Sequence, residues 1–261
     1  QNFSWNLHNT IRYNNISGIL DVSATDGLHV CVHGRSPAGA SGAGCRNLSW
    51  AIYFDGGGRL GNGYSGAVIH GNVIDATLQG AVFTNGGGNI NMSNNIFVGG
   101  ERALLNLPCD PGQERLPGFW PGLHIERNIF ALTGAQRSPK TPALISSNCV
   151  DNSSLRTYDP RRFASSDYNL FWSDFEDLDR ASGLFPWRNG TLKQWQSCNV
   201  TARPMDPHSA TGDPLFTDMA AGDFSLPSSS PAFKLGWQSL PPIDAPYKSD
   251  DVATHVRLLP L

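Results

Sequence analysis

Residues 86–100 read GGGNINMSNNIFVGG: four asparagines among Ile, Met, Ile, Phe and Val, with glycines on both flanks. Gly and Asn both disfavour helix interiors, so a helix is a poor reading. A tight hairpin fares no better, because no partner strand lies across a two-residue turn. The stretch makes sense only beside its relatives.

IRYNNIS (11–17), VIHGNVI (68–74), LHIERNIF (123–130) and SSDYNLF (165–171) also place an Asn just before an aliphatic residue. Aligning Asn15, Asn72, Asn95, Asn128 and Asn169 exposes a shared frame. Apolar residues recur five and three places before the Asn: Ala67 and Ile69, Ile90 and Met92, Leu123 and Ile125. Val73, Ile96, Ile129 and Leu170 follow it. This is strand alternation, a break at Asn, and a further inward residue. The first copy sits one place out of register.

A second repeat alternates with the first. AIYFDGG (51–57), GAVFTNGG (80–87), RALLN (102–106) and ALIS (143–146) align as short strands. Their inward pairs are predicted as Ile52 and Phe54, Ala81 and Phe83, Ala103 and Leu105. The step from Asn72 to Asn95 is 23 residues, one coil of a parallel solenoid. The longer later steps read as coils carrying inserted loops. Equivalent asparagines about 4.8 Å apart then form a hydrogen-bonded ladder, with Asn tolerating left-handed backbone at the turn.

Bulk composition agrees. Hydrophobic residues make up 39% and charged residues 16%, with 28 Gly and 18 Pro, which suits many short strands joined by turns. The 261 residues suffice for one substantial core. A net charge of −3 supplies no basic footprint for nucleic acid, and no apolar run reaches membrane-spanning length.

Seven N-x-[ST] sequons, at Asn2, Asn15, Asn47, Asn91, Asn152, Asn189 and Asn199, predict a secreted or cell-surface glycoprotein. Five cysteines fit an oxidising compartment, and Cys31–Cys45 would close a short Gly/Ala/Ser loop. The odd count leaves one thiol free or paired elsewhere. The sequence also begins almost inside a coil. Together these predict the C-terminal portion of a longer helix, or a chain whose open end meets another subunit.

The run IYFDGG (52–57) and the coil GAVFTNGGGNINMSNNIF (80–97) resemble the right-handed parallel β-helix, pectate-lyase-like superfamily. GDPLFTDMAAGDFSLPSSSPAFKLGW (212–237) is similar to the tail that closes many carbohydrate-active members. The resemblance spans roughly residues 50–237. It implies an all-β helix over 1–175 with inserted loops, and an irregular Trp-containing closing segment over 176–261 packed on the same helix. It further implies a polysaccharide lyase or glycosidase relative, active or degenerate, with a polysaccharide or glycan as partner. The rival reading is a non-catalytic subunit of an extracellular filament or coat.

Candidate site residues fall in outward columns. Asp55, Thr84, Asn106 and Ser146 end the first strand of successive coils, and Asp55 matches a catalytic carboxylate position. The family chemistry needs a second carboxylate, where the next coil offers Thr84; Asp75 or Glu101 could supply it. His70, Ser93 and Glu126 form another column beside Val68, Asn91 and His124, with Arg127 adjacent, as an acid–base site requires. Asp55, His70 and Glu126 are the catalytic candidates. His29, Tyr53, Thr84, Asn106, His124, Arg127 and Trp120 are the substrate-contact candidates. In HVCVH (29–33), His29, Cys31 and His33 share a face, but the predicted disulfide removes the thiolate and no metal centre is assigned. Trp172, Trp187, Trp195 and Trp237 read either as sugar platforms or as plugs over the helix. GNGYSG (61–66) lacks the following helix of a dinucleotide site, and no cofactor motif is present; scattered acids leave calcium open.

Overall fold

The computed structural model describes residues 10–12, 15–16, 50–55, 67–75, 80–85, 90–100, 102–106, 123–133, 142–146, 163–186, 190–197 and 204–241. Strands β1 (Thr10–Arg12), β2 (Asn15–Ile16) and β3 (Trp50–Asp55) form a first repeat. β4 (Val68–His70), β5 (Val73–Ile74) and β6 (Gly80–Asn85) form the second. β7 (Asn91–Ser93), β8 (Ile96–Val98) and β9 (Ala103–Asn106) are the third; β10 (Leu123–Glu126), β11 (Ile129–Leu132) and β12 (Ala143–Ser146) are the fourth. β13 (Phe163–Asp167), β14 (Leu170–Ser173), helix α1 (Leu192–Gln196) and β15 (Ala210–Thr211) follow.

Among the described residues the strands form three sheets, and every pairing between the named strands is parallel. Sheet one runs β1-β4-β7-β10-β13, sheet two β2-β5-β8-β11-β14-β15, and sheet three β3-β6-β9-β12. Each sheet thus takes one strand from each repeat, so equivalent residues of successive repeats stand side by side. Three apolar columns meet in one core. Ile69, Met92 and Ile125 come from sheet one, Ile74, Phe97, Phe130 and Phe171 from sheet two, and Ile52, Val82, Leu105 and Ile145 from sheet three. The sheet-two rings follow one another at 5.2 and 5.3 Å, and Phe185 caps Phe171 edge-on at 5.0 Å.

The asparagine ladder sits between sheets one and two. Asn72 donates from its backbone N–H and Nδ2 to Asn95 Oδ1, both at 3.0 Å. Asn95 does the same to Asn128 Oδ1 at 3.1 and 2.9 Å, and Asn128 to Asn169 Oδ1 at 2.9 and 3.2 Å. All four are buried. Spare Nδ2 protons reach main-chain carbonyls of the neighbouring strands, as from Asn128 to Met92 at 2.8 Å. Buried amides are affordable only with such complete pairing.

Four expectations are corrected. The left-handed backbone belongs to the residue before each ladder Asn: Gly71 (φ 67°), Asn94 (57°), Arg127 (55°) and Tyr168 (57°). Asn15 stands opposite Val73 while Ile11 stands opposite Ile69, so the first repeat aligns one place earlier than the Asn15 reading. In sheet three Ile52 pairs with Val82 and Asp55 with Asn85, a one-residue slip from the aligned Ala81 and Thr84. A slip by one exchanges the faces of a strand. Val82 accordingly takes the place in register with Ile52, with Ala81 also buried in the main core, while Phe83 packs with Trp50, ring centroids 5.3 Å apart. Finally, Val73, Ile96, Ile129 and Leu170 point away from the main core. They form a second cluster with Phe224, Ala232 and Trp237 of the C-terminal segment. Sheet two is buried on both faces, the condition that produces continuous apolar runs such as IFV and IFAL.

The far end of the sheets is closed by irregular chain. Leu184 C=O accepts from Leu144 and Ile145 N–H, both at 3.0 Å, terminating sheet three. α1 begins with a reciprocal capping box between Thr191 and Gln194. Trp195 is fully buried and Trp237 is 6% exposed, so both plug the fold rather than present a sugar platform. Among the described residues no helix is long and apolar enough to cross a membrane.

Candidate functional site

The outward side chains of sheet one form two adjacent rows. His70, Ser93, Glu126 and Asp167 are in register on β4, β7, β10 and β13. Val68, Asn91, His124 and Ser165 occupy the next row. Strand alternation puts both rows on the face opposite Ile69, Met92 and Ile125.

Hydrogen bonds knit these rows across strands. His70 Nδ1 lies 3.0 Å from Ser93 Oγ, and His124 Nδ1 lies 3.0 Å from Ser165 Oγ. Ser165 Oγ in turn donates to Glu126 Oε1 at 2.6 Å. Arg127 Nη1 lies 3.4 Å from Glu126 Oε2, with both side chains more than a third exposed, so solvent screens that pair. Asp167 accepts from the backbone N–H of Tyr168 and of His208, each at 2.8 Å, and pairs with His208 Nδ1 at 2.7 Å.

Two side chains at the rim hold costly backbone. Arg127 and Tyr168 occupy the left-handed region that Gly71 and Asn94 fill in earlier repeats. A bulky residue there costs on the order of 1–3 kcal/mol, and such strain gathers at functional sites. Their side chains meet: the Arg127 guanidinium lies 5.5 Å from the Tyr168 ring centroid, and Tyr168 stacks on His208 at 5.0 Å and 13°. The C-terminal segment supports this rim. Gly236 packs against this rim in a left-handed conformation (φ 81°) that favours glycine, and a Cβ there would sit 3.1 Å from Arg127 Nε, so the Arg side chain would have to give by a few tenths of an ångström. Asn94 exchanges bonds of 2.7 and 2.8 Å with the Gln238 backbone.

Behind the rim lies Asp206, fully buried. Its carboxylate accepts from Ser166 Oγ (2.7 Å), Asn169 Nδ2 (2.8 Å), Trp195 Nε1 (2.6 Å) and Ser209 Oγ (2.6 Å). It ends the asparagine ladder and fixes the turn that carries His208. Burial pushes its pKa above the usual carboxylate value, against the pull of the four donors.

Four predicted residues, His70, His124, Glu126 and Arg127, share this face. Thr84 and Asn106 are buried, 2% and 3% exposed, and lie on sheet three with Tyr53 and Asp55. Asp55 therefore belongs to a different sheet from Glu126. His29, Trp120, Cys31, Cys45, Asn2, Asn47, Asn152, Asn189 and Asn199 lie outside the described residues. Asn91 is exposed on the same face, in register with His124, and Asn15 lies on β2. Ser165, Asp167, Tyr168 and His208 were not singled out from the sequence. The alignment on Asn169 already set Asp167 opposite Glu126 and Tyr168 opposite Arg127; only His208 lacked any signal. Among the described residues no cluster of three or more His, Cys, Asp and Glu side chains is arranged to hold a metal ion. A separate concavity of about 450 Å3 lies between Val73 and Ile96 and the C-terminal Phe224, Phe233 and Trp237, with Asp223 at its wall.

No family model, no characterised protein and no solved structure matches this chain.

Proposed function

We propose that this chain is a right-handed parallel β-helix of the pectate-lyase-like kind, a secreted glycoprotein that acts on a glycan across the outer face of sheet one. The observation that supports this reading is the pair Glu126 and Asp167, in register on adjacent strands and flanked by two imidazoles, a guanidinium and an exposed tyrosine. Parallel neighbours lie about 4.8 Å apart. Glu126 is the acid of this set, and Asp167 serves it through His208, whose imidazole it holds. Tyr168, packed against Arg127 and His208, offers its hydroxyl to a sugar, and Arg127 offers a cation for an acidic one. Lyase chemistry draws on such a base and cation, and glycosidase chemistry on such an acid.

A second reading, a non-catalytic filament or coat subunit, draws on Asn91. Its sequon lies beside His124 on the same exposed face, and a glycan there would cover the rows. One experiment separates the two. The full chain is incubated with neutral and acidic polysaccharides while reducing ends and unsaturated-uronate absorbance are followed, and Asn91 occupancy is read by mass spectrometry. Turnover abolished by Glu126→Gln supports the first reading. Full Asn91 occupancy with no turnover sinks it.

A further inference from the structure

Asp167 and His208 are 41 residues apart in sequence, yet they meet through two bonds: the His208 backbone N–H to Oδ1 at 2.8 Å and Nδ1 to Oδ2 at 2.7 Å. A carboxylate oxygen only accepts, so Nδ1 carries a proton, and in the neutral ring Nε2 is then an acceptor. The ring is held on a second side by the Tyr168 stack, and Tyr168 is itself fixed by its left-handed backbone and its N–H bond to Asp167 Oδ1. The imidazole is 61% exposed while Asp167 is 18% exposed. A mostly covered carboxylate orienting an exposed imidazole is the arrangement that prepares a base. His124 offers a weaker version, since its Nδ1 reaches a carboxylate only through Ser165.

Resting on the reading of this face as a glycan-acting site, we infer that His208 is a catalytic residue there and that Asp167 and Tyr168 are its positioning residues. In the step, an O–H bond of water or of a sugar hydroxyl breaks and an Nε2–H bond forms. The electron pair stays on oxygen, and Asp167 neutralises the imidazolium.

The test uses the full chain. Long-range 1H–15N correlation spectra report which ring nitrogen carries the proton. The expected result is an Nδ1–H tautomer for His208 in the wild type, shifted toward Nε2–H in Asp167→Asn with an unchanged circular dichroism spectrum. On a polysaccharide that the wild type turns over, His208→Gln lowers kcat about 100-fold with KM little changed, and added imidazole restores part of the turnover of His208→Ala. A wild-type Nε2–H tautomer overturns the inference. So does His208→Gln turnover within about threefold of wild type, which leaves the glycan-acting reading intact. Absence of turnover on every polysaccharide overturns both.

Discussion

Two columns one residue apart in sequence obey opposite rules. The ladder positions hold Asn four times over, at 72, 95, 128 and 169, each buried and each bonded to the next. The positions immediately before them hold Gly71, Asn94, Arg127 and Tyr168, four different residues sharing one left-handed backbone. Inside, a side chain must both accept from the rung below and donate to the rung above, and the carboxamide is the short group that does so. Outside, only the backbone conformation is prescribed, and a glycine would satisfy it most cheaply. The later repeats depart from that solution with large functional groups. The buried ladder thus reports the fold, while the left-handed column, buried at Gly71 and Asn94 and exposed at Tyr168, varies in residue type.

The contrast is easiest to break where the ladder ends. Asp206→Ala strands four buried donors, including Trp195 Nε1 and Asn169 Nδ2, and is expected to cost about 3–5 kcal/mol in denaturant unfolding. Asn128→Ala removes the acceptor of two Asn95 bonds in mid-ladder and is expected to cost about 2–4 kcal/mol. Arg127→Gly tests the outer column. Relief of left-handed strain should offset its lost contacts, leaving stability within about 1 kcal/mol of wild type while polysaccharide turnover falls. A large destabilisation there would show that Arg127 is structural.

The smallest effect concerns pH. Burial holds Asp206 above its ordinary value of 3.8, so the folded chain binds a proton more tightly than the unfolded one. The contribution of this group to stability is complete below the unfolded value and is lost as pH rises through the folded value. The stability of wild type relative to Asp206→Asn, which has no titrating group at 206, should therefore fall as pH rises through that window. A difference that grows with pH would reverse the assignment.

Local spacing carried most of the fold. The recurrence of Asn at 72, 95, 128 and 169 with apolar residues three and five places earlier is a property of single strands, and it led directly to parallel stacking of repeats. Register in sheet three was harder to read, because GAVFTN is apolar or small at four consecutive positions and both alignments offer a plausible inward set. The face of Val73, Ile96, Ile129 and Leu170 was misread for a related reason: both faces of sheet two are covered, and alternation then leaves no trace. In the site, Glu126 and His124 were legible as outward residues of one strand. His208 was not, because it reaches Asp167 through irregular chain anchored on Asp206 by bonds spanning about 40 residues.

The clasp between Asn94 and the Gln238 backbone joins residues 144 apart. Loop entropy opposes such a closure until the intervening chain is ordered. During synthesis the stripe of Val73, Ile96, Ile129 and Leu170 emerges long before Phe224 and Trp237 arrive to roof it. The nascent chain therefore carries a bare oily seam for much of its translation, and its yield depends on what shelters that seam in the interval.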